Sequence, residues 1–196
     1  HRRMHRRMVA LQVETIADYA RYMRDHREEA KAFFQDALIS VTSFYRDPDH
    51  FRLLEKRLTE KLKSGHKDPF RIWVVGCATG EEAFTISIMI SEVLEKLDKQ
   101  TSFQIFATDL DEPALEIARR ACFPKSSFED FPPELRDKYF SAKDDGYKVR
   151  SDIRDSVVFA KHNVITDPPF LNIDLISCRN VLIYFGKDLQ DKVLNT

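Results

Sequence analysis

The sequence predicts an α/β protein: a parallel sheet flanked by helices and preceded by a small all-helical domain. Three observations carry this. Residues 1–64 set their apolar side chains at helical spacing. From Pro69 onward, strand-like apolar runs alternate with helical ones. The first of those strands turns straight into a helix through a bend holding Gly76 and Gly80.

In the first region, Leu11, Ile16, Tyr19 and Met23 recur at helical intervals. Phe33, Phe34, Ala37, Leu38 and Val41 form a second set, and Phe51, Leu54, Leu58 and Leu62 a third. Asp47-Pro48 opens the third helix, because a missing N–H and a preset φ cost nothing in a first helical turn, and Gly65 closes it. The expected boundaries are therefore 1–64 for the helical domain and linker and 65–196 for the sheet domain. In the latter, Arg71–Cys77 (RIWVVGC) reads as a buried strand and Glu81–Leu97 as a helix with Ile86, Ile90, Val93 and Leu97 on its inner face. Phe103–Leu110 is a second strand, Pro113 starts another helix, and Val157–Lys161 and Asp174–Cys178 are further strands. The stretch 122–156 interrupts this rhythm with Pro132-Pro133, a short helix ending near Phe140, and the hairpin signal Asp145-Gly146, and so predicts a helix-plus-hairpin insert. His1–Met8 reads as the middle of a basic helix, and Thr196 falls inside a helical pattern. A fragment of a longer protein is thus expected, its sheet truncated before the final strands and an exposed strand edge left behind.

Composition narrows the function classes. A hydrophobic content of 43% with 15 Phe fills a real core, and a net charge of -1 gives no reason to expect nucleic acid or an anionic membrane as partner. With no apolar run of membrane-spanning length and no signal peptide, no membrane insertion and a cytoplasmic location are expected. Cys77, Cys122 and Cys178 lack zinc-type spacing and read as free thiols, so no metal is expected.

The bend Gly76-Cys77-Ala78-Thr79-Gly80-Glu81-Glu82 is the strongest local signal. Its glycines let backbone approach a ligand closely and the following helix offers free N–H groups, though a tight turn alone would look the same. The spacing is neither a dinucleotide fingerprint nor a P-loop. Glu81 and Glu82 would repel a pyrophosphate and welcome a cation, which suits S-adenosylmethionine with its sulfonium and ammonium groups. Asp109, ending the second strand, is placed to accept hydrogen bonds from ribose hydroxyls, and Asp111 reads as the cap of the next helix.

Five segments appear in a telling order: Val41–Asp47 (VTSFYRD), Gly76–Glu82, Thr108–Asp111 (TDLD), His162–Val164 (HNV) and Cys178–Phe185 (CRNVLIYF). Together they resemble the CheR family of chemotaxis receptor glutamate methyltransferases over essentially the whole chain. The opening basic helix and ISVTSFYRDP look most like CheR modules fused to a CheB methylesterase domain. The resemblance implies a Rossmann-like methyltransferase sheet and S-adenosylmethionine as cofactor, with S-adenosylhomocysteine as product. It implies cofactor contacts at Ser40, Thr42, Arg46, Gly76, Glu81, Asp109, Asn163, Val164, Arg179 and Asn180, and places Arg46 and Tyr184 beside the transferred methyl as catalytic residues. Ser40 departs from the Asn found in many relatives and weakens that contact.

The substrate implied is the cytoplasmic helices of methyl-accepting chemoreceptors. Arg2, Arg3, Arg6 and Arg7 share a helix face that is either a solvated basic surface or a dock for an acidic receptor bundle. Asp167-Pro168-Pro169-Phe170 imitates the motif of amino-methyltransferases, but it precedes the fourth strand instead of following it and is read as a turn. The short loop Ser141–Gly146 predicts that no receptor tethering peptide is bound. The other readings are a methyltransferase of another substrate class and a non-catalytic S-adenosylmethionine-binding signalling module.

Overall fold

The computed structural model describes residues 2–37, 42–65, 69–128 and 131–195. The chain divides into two compact units, His1–Ser40 and Val41–Thr196.

The first unit holds α1 (Arg2–Ala10), α2 (Ile16–Asp25) and α3 (Arg27–Ala37). The apolar pattern from Leu11 to Met23 spans a break, since α1 ends at Ala10 and Thr15 caps α2 by accepting the Asp18 N–H at 3.1 Å. For that reason Ile16, at the cap, lies exposed while Tyr19 is buried. Leu38 and Val41 lie outside the described residues. A polar knot ties the unit together. The Arg7 fork donates two 2.7 Å hydrogen bonds to the Glu29 carboxylate, a third N–H reaches Asp36 at 3.0 Å, and the Tyr19 hydroxyl donates to Glu29 at 2.7 Å. Bidentate guanidinium–carboxylate pairs of this kind are the strong ones. Arg6 also reaches Asp36, at 3.2 Å, and Arg3 donates to the Asp36 carbonyl. Much of the basic face read from the sequence is therefore engaged inside the unit.

The second unit begins with α4 (Pro48–Lys63), which the sequence reading had grouped with the preceding helices. It packs instead on α5, and Phe51, Leu58 and Leu62 join the same core as the sheet. There follow β1 (Phe70–Val75), α5 (Glu81–Lys96), β2 (Phe103–Asp109) and α6 (Glu112–Arg120). The insert comprises β3 (Cys122–Pro124), a 3-10 turn, α7 (Pro133–Tyr139), β4 (Phe140–Lys143), β5 (Gly146–Val149) and α8 (Ser151–Arg154). Finally come β6 (Val157–Lys161), β7 (Leu175–Ser177), a 3-10 turn at Leu182–Tyr184 and α9 (Lys187–Leu194). The main sheet is all parallel with strand order β6-β2-β1-β7.

The insert is a three-stranded antiparallel sheet, β3-β5-β4, where the sequence predicted only a hairpin. Pro124 disguised β3, and an edge position is where a strand tolerates proline. The hairpin turn is centred on Asp144-Asp145, with Asp144 at φ 45°, and Gly146 already pairs with Lys143 as strand. Gly146 is needed for a different reason: a side chain there would run into the Phe123 carbonyl of β3. Asp167 behaves as the turn residue expected, accepting the Asn163 N–H at 2.8 Å, while Phe170 stacks on Phe106 and meets Trp73 edge-on.

Candidate functional site

The strand order creates a crevice. From β1 the chain moves one way to β2 and β6, then returns to place β7 on the other side of β1. Ligands of open parallel sheets bind at this reversal, beyond the carboxyl ends of the strands. The loops after β1, β2, β6 and β7 all leave from that end.

The bend after β1 is held by β2. The Gly76 and Cys77 N–H groups both donate to the Thr108 carbonyl, at 2.8 and 3.0 Å, and the Thr108 hydroxyl accepts the Trp73 indole N–H at 2.9 Å. Gly76 lies at φ 69°, and its missing side chain makes room for Val181, which brings the loop after β7 down onto the bend. Gly80, at φ 96°, closes the other end, where a Cβ would stand 3.0 Å from Ala118 and 3.1 Å from Phe159.

Asp109 is oriented by backbone. One carboxylate oxygen accepts the Ala78 N–H at 2.8 Å and the other the Asp111 N–H at 2.9 Å. A carboxylate offers about four lone-pair directions, so roughly two remain for hydroxyl donors. Asp111 caps α6 through the Ala114 N–H, as its position predicted. The loop after β6 is tied in by the His162 N–H, which donates to the Asp109 carbonyl at 3.1 Å, so Asn163 and Val164 follow directly on the Asp109 edge of the crevice.

The two neighbouring acids of the bend have different surroundings. Glu82 accepts the Ser177 hydroxyl at 2.6 Å and an Arg179 N–H at 3.2 Å, so its charge is balanced. Glu81, only 6% exposed, accepts the Thr79 hydroxyl at 2.6 Å, and burial pushes its carboxyl above the usual carboxylate range. Glu81 is thus the acid that gains most from a positive ligand. The Cys77 thiol is also pushed up by burial, which keeps it protonated and unreactive.

Arg46 lies in a strained turn. Tyr45 and Asp47 on either side of it both take left-handed conformations, with φ 50° and 60°. Ala78 and Asn180 do the same at 47° and 57°, so four such residues stand on the loops that meet at the crevice, where stored strain commonly marks function. Arg179 was expected at the cofactor. Its guanidinium donates to the Arg46 carbonyl at 2.6 Å and to Asp47 at 2.9 Å besides Glu82, and stacks 4.8 Å over the Phe51 ring. On the other side, Phe44 is buried among Phe123, Phe128, Phe131 and Phe140 of the insert, with ring centroids 4.9–5.5 Å away. Tyr184 sits exposed on the 3-10 turn beyond β7, and Thr42 is half-buried ahead of Phe44. Ser40 lies outside the described residues.

Sequence reasoning did not find the Thr108 carbonyl that holds the bend, nor the Glu82–Arg179–Asp47 bridge. The bridge joins positions far apart in the chain and leaves no local pattern. The one hint was Asp47 itself, since Asp is a residue type that tolerates a left-handed conformation.

A buried acid at Glu81 with no ion-pair partner among the described residues, and Asp109 with lone pairs left over by its backbone donors, fit a ligand bringing both positive charge and vicinal hydroxyls. S-adenosylmethionine has both. Comparison with known proteins agrees. Residues 40–196 match the family described as CheR methyltransferase, SAM binding domain, and residues 1–38 that described as CheR methyltransferase, all-alpha domain. The chain is 36% identical over 98% of its length to an uncharacterised 104.1 kDa protein of Rhodobacter capsulatus, of which it covers 20%. It is 33% identical over 94% of its length to a putative methyltransferase, Cher3, of Pseudomonas putida, covering 66% of that protein. It is 30% identical over 98% of its length to chemotaxis protein methyltransferase 2 of Pseudomonas aeruginosa, covering 69% of it. With the acidic bend, the backbone-anchored Asp109 and the CRNVLIYF loop in place on the sheet, the chain belongs to the CheR methyltransferase family.

Proposed function

We propose that this chain carries the catalytic site of a protein-glutamate O-methyltransferase acting on the cytoplasmic helices of methyl-accepting chemoreceptors. The cofactor is S-adenosylmethionine and the product S-adenosylhomocysteine. The observation that supports this most directly is a guanidinium-bearing turn, Tyr45–Asp47, bonded through Arg179 to an acidic bend that suits a cationic ligand. A guanidinium there suits a carboxylate substrate. Among the described residues no helix is long and apolar enough to cross a membrane. The proposal places the reaction in the cytoplasm, with a CheB methylesterase domain as fused or separate partner.

When bound, S-adenosylmethionine supplies an electrophilic methyl on a positively charged sulfur. The chain's residues do the rest. Glu81 meets positive charge, Asp109 accepts hydroxyls, and Thr42, Asn163, Val164 and the Arg179-Asn180 backbone complete the cofactor cleft around Gly76. Arg46 grips one oxygen of the substrate carboxylate and leaves the other free to attack, while Tyr184 closes the side of the transferred methyl. A glutamate with a pKa near ~4.3 is already ionised at neutral pH, so no general base is required. Orientation of such a pair can account for as much as ~7–11 kcal/mol of barrier.

The test uses the intact protein with methyl-tritiated cofactor and receptor membranes. Label should enter the receptor and be released as methanol by mild base, the signature of an ester. Label that resists base would point to an amine product and overturn the substrate class. Arg46→Ala should lower the rate at least ~100-fold with much smaller loss of cofactor affinity, in keeping with loss of a charge-assisted contact.

A further inference from the structure

The Phe44–Asp47 loop is anchored along its length: Phe44 by the aromatic cluster of the insert, the Tyr45 N–H by the Thr85 hydroxyl at 3.3 Å, and the Arg46–Asp47 end by Arg179. The Arg179 anchor is a bridge of one cation between two anions. One terminal nitrogen of Arg179 reaches Glu82 at the start of α5; the other serves both the Arg46 carbonyl and the Asp47 carboxylate at the start of α4. The central carbon of the guanidinium lies 4.8 Å from the centroid of the Phe51 ring, within cation–π range. Tyr45 and Asp47 keep left-handed conformations on both sides of Arg46, and such residues persist only where their surroundings over-determine them.

We propose that Arg179 is a positioning residue. With Glu82 and Asp47 it forms a latch that keeps the strained turn closed and aims Arg46 at the crevice, so its side chain acts on methyl transfer through Arg46 and not by touching the cofactor. This rests on the methyl-transfer reading above. Without Arg179 the Glu82 and Asp47 carboxylates would lose their shared cation and the Arg46 carbonyl this donor, so the Arg46–Asp47 end of the turn would loosen. Lysine cannot replace the latch: its ammonium is a point charge that cannot span both carboxylates and stack on Phe51.

The experiment compares Arg179→Met, Arg179→Lys, Asp47→Asn and Arg46→Ala, singly and in pairs, in the intact protein. It measures kcat, S-adenosylhomocysteine affinity by calorimetry, and amide exchange at residues 44–47. The latch predicts that Arg179→Met lowers kcat about tenfold or more, changes product affinity by less than about threefold, and speeds exchange at 44–47. Arg179→Lys should recover little of the rate. In an Arg46→Ala background, Arg179→Met should cost almost nothing further, and pairing it with Asp47→Asn should be no worse than Arg179→Met alone.

The proposal is overturned if Arg179→Met weakens product binding tenfold or more while exchange at 44–47 stays as in the wild type, which would put the guanidinium on the cofactor. It is equally overturned if the effects of Arg179→Met and Arg46→Ala multiply. Should Arg179→Met fail to fold, Asp47→Asn, which retains the Arg179–Glu82 pair, carries the same comparison against Arg46→Ala. A wild-type protein that neither binds S-adenosylhomocysteine nor transfers methyl would sink the functional reading, while exchange at 44–47 would still decide whether the latch exists.

Discussion

Burial raises the Glu81 pKa, so its charge is held less favourably than in water until a cation arrives, and the hydrogen-bond partner of its carboxylate is the neutral Thr79 hydroxyl. A positively charged ligand binds the ionised carboxylate better than the protonated one. Affinity for S-adenosylmethionine should therefore climb as pH rises through the elevated Glu81 pKa and level off above it. Glu81→Gln should flatten that climb and weaken binding about tenfold at pH 7.5, ~1.4 kcal/mol, by calorimetry. A pH-independent affinity in the wild type would remove Glu81 from the cofactor's positive charge. At this scale the sequence was readable wherever a residue's role follows from its neighbours in the chain. Asp111 capping α6 and Pro48 opening α4 are examples. The division of labour between Glu81 and Glu82 was not readable, because it depends on Ser177 and Arg179, which arrive from β7 and the loop beyond it.

Elements behaved in the same way. Strands and helices with strong periodicity came out within a residue or two, as β1, α5, β2 and β6 show. The three-residue β3 carried no periodicity to read, and the helical pattern around Leu11–Met23 ran across a cap it could not reveal. Phe44 connects two elements that the sequence kept apart, the linker and the insert. Phe44→Ala would leave a void among four rings and should destabilise the protein by ~3–5 kcal/mol in denaturant titration. A loss below ~1 kcal/mol would mean that the cluster closes without it.

The helical unit has an acid-sensitive knot. The hydrogen bonds from Arg7 hold the Glu29 carboxyl below the usual carboxylate range, and those from Arg7 and Arg6 do the same for Asp36. A depressed folded pKa contributes stability that is fully present above the unfolded value, ~4.3 for Glu, and lost as pH falls through the lower folded one. The protection of amides in α1–α3, taken relative to the intrinsic exchange rate at each pH, should fall below about pH 4 and stay constant between about pH 5 and 8. Glu29→Gln should weaken these helices at neutral pH and blunt the acid effect. Unchanged protection across the acid range would show that the Arg7 pairing contributes nothing to the fold.

For the whole molecule, alternation of strand and helix revealed a parallel sheet, but the order β6-β2-β1-β7 depends on a reversal that no window of sequence displays. The same holds for the membership of α4, whose amphipathic pattern suits a helical bundle as well as the flank of α5. Within residues 1–196, β7 forms one edge of the sheet with Ile176 57% exposed, and a net charge of -1 offers little repulsion between copies of this piece near neutral pH. In a polypeptide of these 196 residues, Ile176→Lys should reduce light scattering at high concentration while shifting stability by no more than ~0.5 kcal/mol. Scattering that does not fall would show that association proceeds through another surface.

Trp73 is the sole indole of the chain, and its N–H bonds the residue whose carbonyl holds the start of the Gly76 bend. The protein therefore carries an intrinsic fluorophore one residue-to-residue link away from the proposed cofactor cleft, in a buried aromatic setting. Any rearrangement of that bend on cofactor uptake would alter the emission of a single, unambiguous source. Occupancy could then be followed in real time on the unlabelled polypeptide, with no probe introduced into the cleft itself.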